Sequence, residues 1–136
     1  MKPHVSIITL GVKDMNRAKR FYGEGLGWPI QQDYGEWVAF GLAGGAQTLG
    51  LLSRDGLASD VGAPAGGDGL SGVVFSYVVR SNARVDAVLE EAACAGATIA
   101  RPAASTPWGG YVGYFADPEG FLWRVLTGSG QEPYSE

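Results

Sequence analysis

The sequence predicts an α+β protein built from two βαβββ halves, and three observations carry that prediction. Near the C-terminal end, WGGYVGYFADPEGFLWRVL (108–126) alternates Tyr111, Gly113 and Phe115 with Val112, Tyr114 and Ala116, and a second β-rich run follows from Phe121. Between the arms, Asp117-Pro118-Glu119-Gly120 supplies turn chemistry: Pro sets φ, Asp can bond its own backbone, and Gly takes a left-handed position. Second, Val12-Lys13-Asp14 and Val79-Arg80-Ser81 lie 67 positions apart, each before a helical pattern and each followed by arginine at the same offset, Arg17 and Arg84. A repeat of that length means two copies of one supersecondary unit. Third, the stretch 57–72 holds five of the 22 glycines and Pro64, and separates the two copies.

The elements follow in order. Residues 5–12 are apolar and β-branched, a buried strand. Asp14 offers an N-cap, and Met15, Ala18, Phe21 and Tyr22 share one helical side until Gly25 and Gly27 end the helix. Residues 30–34, 36–42 and 46–53 read as short strands divided by Gly35 and Gly44-Gly45. After a loop at 56–72, residues 73–79 form a strand and Ser81 caps a helix with Val85, Val88, Leu89, Ala92 and Ala93 on its apolar face. Residues 97–100 are a short strand, and the hairpin supplies the last two. The 136 residues suffice for one domain with its own core. Its parts are module one (4–55), a linker (56–72), module two (73–127) and a tail (128–136). Packed edge to edge, the two units would make a mixed, curved sheet with a concave side.

Bulk properties exclude several classes. Hydrophobic residues at 46% and charged ones at 18% describe a globular chain. A net charge of −4 and a pI near 4.9 provide no basic face for phosphates, so nucleic acid is not an expected partner. The basic cluster Lys13, Arg17, Lys19 and Arg20 reads as a solvated helix face. No apolar run reaches membrane-spanning length and the N-terminus has no signal pattern, so the expectation is a soluble, cytoplasmic protein with no membrane partner. Cys94 is the single cysteine, which precludes an intrachain disulfide; in the Ala-rich helix it reads as a small buried thiol.

The segments ITLGVKDMNRAKRFYGEGLGW and WGGYVGYFADPEGFLWRV are similar to the vicinal oxygen chelate superfamily, which includes glyoxalase I, extradiol dioxygenases and bleomycin-resistance proteins. The resemblance spans nearly the whole chain in the right order. It implies two βαβββ modules forming an incompletely closed, eight-stranded mixed barrel around a cavity, in a homodimer. Metal enzymes of the family hold their ion on four strands, and by motif those positions fall on Ile7, Val74, the stretch Leu49 to Leu51, and Arg124. Hydrocarbon has no donor atoms and a guanidinium has no lone pair to give a cation. The sequence therefore implies no metal and no cofactor. His4, the only histidine, falls out of phase with Ile7 and reads as a strand-start residue. Glu24, Asp33 and Glu36 fall at a helix end and a turn, as solvated carboxylates.

By the family pattern, the face of Arg124, shared with Leu122 and Leu126, lines the cavity. A buried arginine needs a partner. That partner is an internal carboxylate, solvent at the cavity mouth, or an anionic or carbonyl-bearing ligand held bidentately. Trp37, Phe40, Trp108, Tyr111 and Tyr114 are candidate cavity walls for an aromatic ligand, or else core or dimer packing. Gln47 and Thr9 are candidate polar contacts. The first functional expectation is a metal-independent binder of a small organic ligand. The alternatives are a glyoxalase-like lyase, isomerase or dioxygenase with displaced ligands, or a dimeric interaction module without a pocket.

Overall fold

In the first half, β1 (Ile7–Val12) sends Ile8, Leu10 and Val12 to one face and Ile7 and Thr9 to the other. Asp14 Oδ1 accepts the Arg17 N–H at 3.0 Å and so caps α1 (Met15–Arg20). The chain then widens into a π turn, Phe21–Gly25, closed by the Leu26 N–H on the Phe21 carbonyl at 2.9 Å. That turn brings Tyr22 against Trp28 and Phe40, with ring centres 5.2 and 5.9 Å apart. Strands β2 (Ile30–Asp33), β3 (Trp37–Gly41) and β4 (Thr48–Ser53) run antiparallel in sequence, and β1 joins β4 in parallel, for the order β2-β3-β4-β1. Val38, Phe40, Leu49 and Leu51 form the buried core under α1. Each such side chain contributes about 1.5–3 kcal/mol by leaving water.

The computed structural model describes residues 1–43, 48–62, 72–130 and 133. It corrects the reading of a loop beginning at Gly56. Residues Arg54–Val61 are helical (α2), with the Ser53 Oγ accepting the Gly56 N–H at 3.0 Å and Gly62, at φ 87°, ending the helix. Leu57, Ala58 and Val61 are buried, and Leu57 lies where a Cβ on Gly11 would stand, 2.9 Å away. A capped i, i+1, i+4 apolar spacing outweighs one glycine in the first turn. The rest of the expected linker, 63–71, lies outside the described residues.

The second half repeats the plan. It consists of β5 (Val73–Val78), α3 (Asn82–Cys94), β6 (Thr98–Ser105), β7 (Tyr111–Ala116) and β8 (Leu122–Thr127). The order is β5-β8-β7-β6, with β5 parallel to β8 and the other pairs antiparallel. This matches the first half strand for strand, so the predicted α+β architecture of two βαβββ units is the one observed. Ser81 Oγ accepts the Arg84 N–H at 3.1 Å, and α3 lays Val85, Val88 and Leu89 on Tyr77, Phe115 and Val125. The predicted turn forms as read: Asp117 Oδ1 accepts the N–H groups of Glu119 and Phe121, both at 2.9 Å, and Gly120 sits at φ 92°.

Three local differences have physical causes. Strand β6 runs through Pro102, past the expected end at residue 100, because it borders its unit's sheet, where a missing N–H need not break a ladder. Cys94 is exposed rather than buried, since it follows Val85 by nine residues, about two and a half helical turns, on the opposite side of α3. Residues 1–6 pack with the second half. The Ser6 N–H donates to the Ser76 carbonyl at 2.8 Å, Ser6 Oγ accepts the Val78 N–H at 3.1 Å, and the N-terminal ammonium donates to Glu91.

Candidate functional site

In each half, one sheet face is taken by the crossover helix, α1 or α3. Functional side chains are to be sought on the other, distal face. In the second half, strand register sets Ser76 of β5, Arg124 of β8, Tyr114 of β7 and Arg101 of β6 in one row across four strands. Alternation explains why Arg124 is distal: Trp123 and Val125 point to the α3 side, where Trp123 stacks on Phe115 with ring centres 6.0 Å apart and planes 3° from parallel. Arg124 is only 8% exposed, and Ser76 and Tyr114 are fully buried. The Arg124 Nε donates to Ser76 Oγ at 3.2 Å. A guanidinium held this way keeps its planar fork in one orientation, which suits bidentate recognition of a carboxylate.

The repeat gives this row a counterpart. Thr9 stands opposite Gly50 in the first half as Ser76 stands opposite Arg124 in the second. Thr9 is 1% exposed and its Oγ1 has no hydrogen-bond partner among the described residues. Gly50 carries no side chain because Trp37 fills its place: a Cβ there would lie 2.1 Å from the indole. The Trp37 Nε1 donates to Gln32 Oε1 at 2.9 Å, which holds the ring across Gly50.

The carried-over metal positions do not fit a divalent ion. Ile7 and Val74 are distal and buried, and both are hydrocarbon. Of Leu49 to Leu51, the two leucines belong to the core under α1, leaving Gly50 on the distal face. Arg124 is a cation. Among the described residues, no group of three or more His, Cys, Asp or Glu side chains could hold a metal ion.

The structure sorts the other candidates. Phe40 lies in the core under α1 rather than on a distal wall, since β3 shows Trp37 and Phe40 to opposite faces. Tyr111 stands opposite Thr127, on the α3 side, and its hydroxyl donates to Asp86 Oδ1 at 2.8 Å. That bond, with some desolvation and the nearby carboxylate charge, holds its phenol above the ordinary range. Trp108 is 51% exposed in the β6–β7 turn, its ring lying over Gly110. Gln47 lies outside the described residues. The sequence reading missed Ser76 and Arg101. Period-two counting from Val74 would have found Ser76, whereas Arg101 depends on a bulge that alternation cannot show. Elsewhere, an open groove of about 630 Å³ runs along α1 and the π turn, lined by Asn16, Lys19, Arg20, Glu24 and Trp28. Lys19 pairs there with Asp33 and holds its carboxyl below the usual range.

A family model described as Glyoxalase/Bleomycin resistance protein/Dioxygenase superfamily matches residues 4–125. No curated protein matches the chain. Among solved structures, an NAD-dependent benzaldehyde dehydrogenase from Legionella pneumophila is similar, with TM-score 0.72, 20% identity, and coverage of 89% of this chain and 96% of that one. A glyoxalase/bleomycin resistance protein/dioxygenase superfamily member from Vibrio splendidus 12B01 gives TM-score 0.58 at 20% identity, covering 90% and 97%. The Mn(II)-bound glyoxalase from Novosphingobium aromaticivorans gives 0.60 at 21%, covering 98% of this chain and 41% of that one. At such identities the likeness is one of fold alone.

Proposed function

The chain belongs to the Glyoxalase/Bleomycin resistance protein/Dioxygenase superfamily, and we propose that it is a metal-independent binding protein for a small organic ligand, anionic or aromatic, anchored by Arg124. The observation that carries this reading is the buried guanidinium at a position where the family resemblance expects a metal ligand. A metal site collects the oxygens of a substrate by its positive charge. An oriented guanidinium offers the same sign of charge with directional N–H donors, and so favours a carboxylate or enolate-like oxygen pair. Trp108, in the same half as Arg124, is the aromatic surface that would meet a ring. As in the resemblance, the binder would work as a homodimer.

Two measurements test the proposal. Protein purified without chelators should contain no stoichiometric Zn, Ni, Fe or Mn; a bound equivalent would favour a lyase, isomerase or dioxygenase of glyoxalase type instead. Titration with benzoate, followed by tryptophan fluorescence and calorimetry, should show saturable binding that Arg124→Leu weakens at least about tenfold, the value of one charge-assisted hydrogen bond. Equal affinity in the wild type and the variant, with circular dichroism showing both folded, would refute the anchor.

A further inference from the structure

We infer that the ligand carries two acidic groups and that Arg101 binds the second; this rests on the reading of Arg124 as the anchor of the first. The argument starts from register. Strand β6 pairs with β7 at Ile99↔Phe115. An unbroken antiparallel ladder would then place Ala100 opposite Tyr114 and Arg101 opposite Gly113. The Gly113 position faces α3: a Cβ there would lie 2.4 Å from the Leu89 side chain and 3.2 Å from Ala103. The ladder instead shifts between Ile99 and Arg101, which brings Arg101 opposite Tyr114 and onto the Arg124 row. A second shift, between Arg101 and Ala104, lets Ala103 return to the α3 side, where it packs on the core.

Two bulges therefore bracket a single arginine and turn it to the distal face. Bulges re-aim side chains and gather beside binding sites. Strands lie about 4.8 Å apart, so Arg124 and Arg101, two strands removed, have Cα atoms roughly 10 Å apart. The two cations differ in setting: Arg124 is buried and bonded to Ser76, whereas Arg101 is exposed. The buried one fixes the pose and the exposed one discriminates.

The test compares terephthalate with benzoate on the wild type, Arg101→Met and Arg124→Leu. Terephthalate should bind the wild type about tenfold more tightly than benzoate. Arg101→Met should erase that gain, and Arg124→Leu should weaken both. Arg101 is exposed on a border strand, so its replacement does not threaten folding. Equal affinity of the two probes for the wild type, or a gain that survives Arg101→Met, would overturn the inference and leave the Arg124 anchor standing. If neither probe binds the wild type, the anchor itself fails, and the inference with it.

Discussion

Gly50→Ala is the sharpest test of how the distal face of the first half is built. A Cβ at residue 50 would lie 2.1, 2.5 and 3.0 Å from three atoms of the Trp37 ring. Ordinary carbon contacts are about 3.5–4.0 Å, so the indole would have to retreat by more than an ångström. The retreat breaks the 2.9 Å bond from Trp37 Nε1 to Gln32. Overpacking of this kind costs about 1–3 kcal/mol and the lost hydrogen bond about 1 more. The expected destabilisation is therefore about 2–4 kcal/mol. In a chain of this length that lowers Tm by roughly 6–12 °C. Urea denaturation with matched m-values measures it, and tryptophan emission reports the ring's displacement. Adding Trp37→Ala completes a cycle: with the ring gone, alanine at residue 50 should cost little, a coupling of about 1 kcal/mol or more. A Gly50→Ala variant as stable as the wild type, or strictly additive effects, would refute this account of the face.

Thr9→Val replaces a buried hydroxyl that has no hydrogen-bond partner among the described residues with a methyl of the same shape. The urea midpoint should rise, by about 1 kcal/mol of stability; a loss of that size would instead reveal a partner in solution. The Tyr111–Asp86 bond predicts a pH dependence. The folded phenol titrates above its unfolded value, mainly because it donates to Asp86. Its stabilisation is thus full below about pH 10 and lost as pH rises through the higher folded value. Tyr111→Phe should flatten that alkaline decline in stability, read as urea midpoints across the alkaline range.

Much of this was legible in residue order, and the exceptions are informative. The Asp117–Gly120 turn follows from local chemistry, since Pro, Asp and Gly each satisfy a separate backbone requirement within four residues. Placing Arg124 opposite to Trp123 and Val125 needs only the two-residue period of a strand. Phe40 and Tyr111, open in the sequence between cavity wall and core packing, face the helix sides; alternation says which residues share a face, not which face the helix takes. Helix α2 was hidden by Gly56, whose cost near a capped end is small once Leu57, Ala58 and Val61 are buried.

The amino-acid order by itself determined the duplicated βαβββ plan, the hairpin, the hydrocarbon at Ile7 and Val74, and the parity of Arg124, because these rest on interactions spanning a few residues. Only the tertiary structure decided that Trp37 covers Gly50, that Ser76 holds the Arg124 guanidinium, and that Arg101 joins their row. Those outcomes depend on register between strands far apart in sequence, where one inserted residue moves a side chain from the helix side of a sheet to the other.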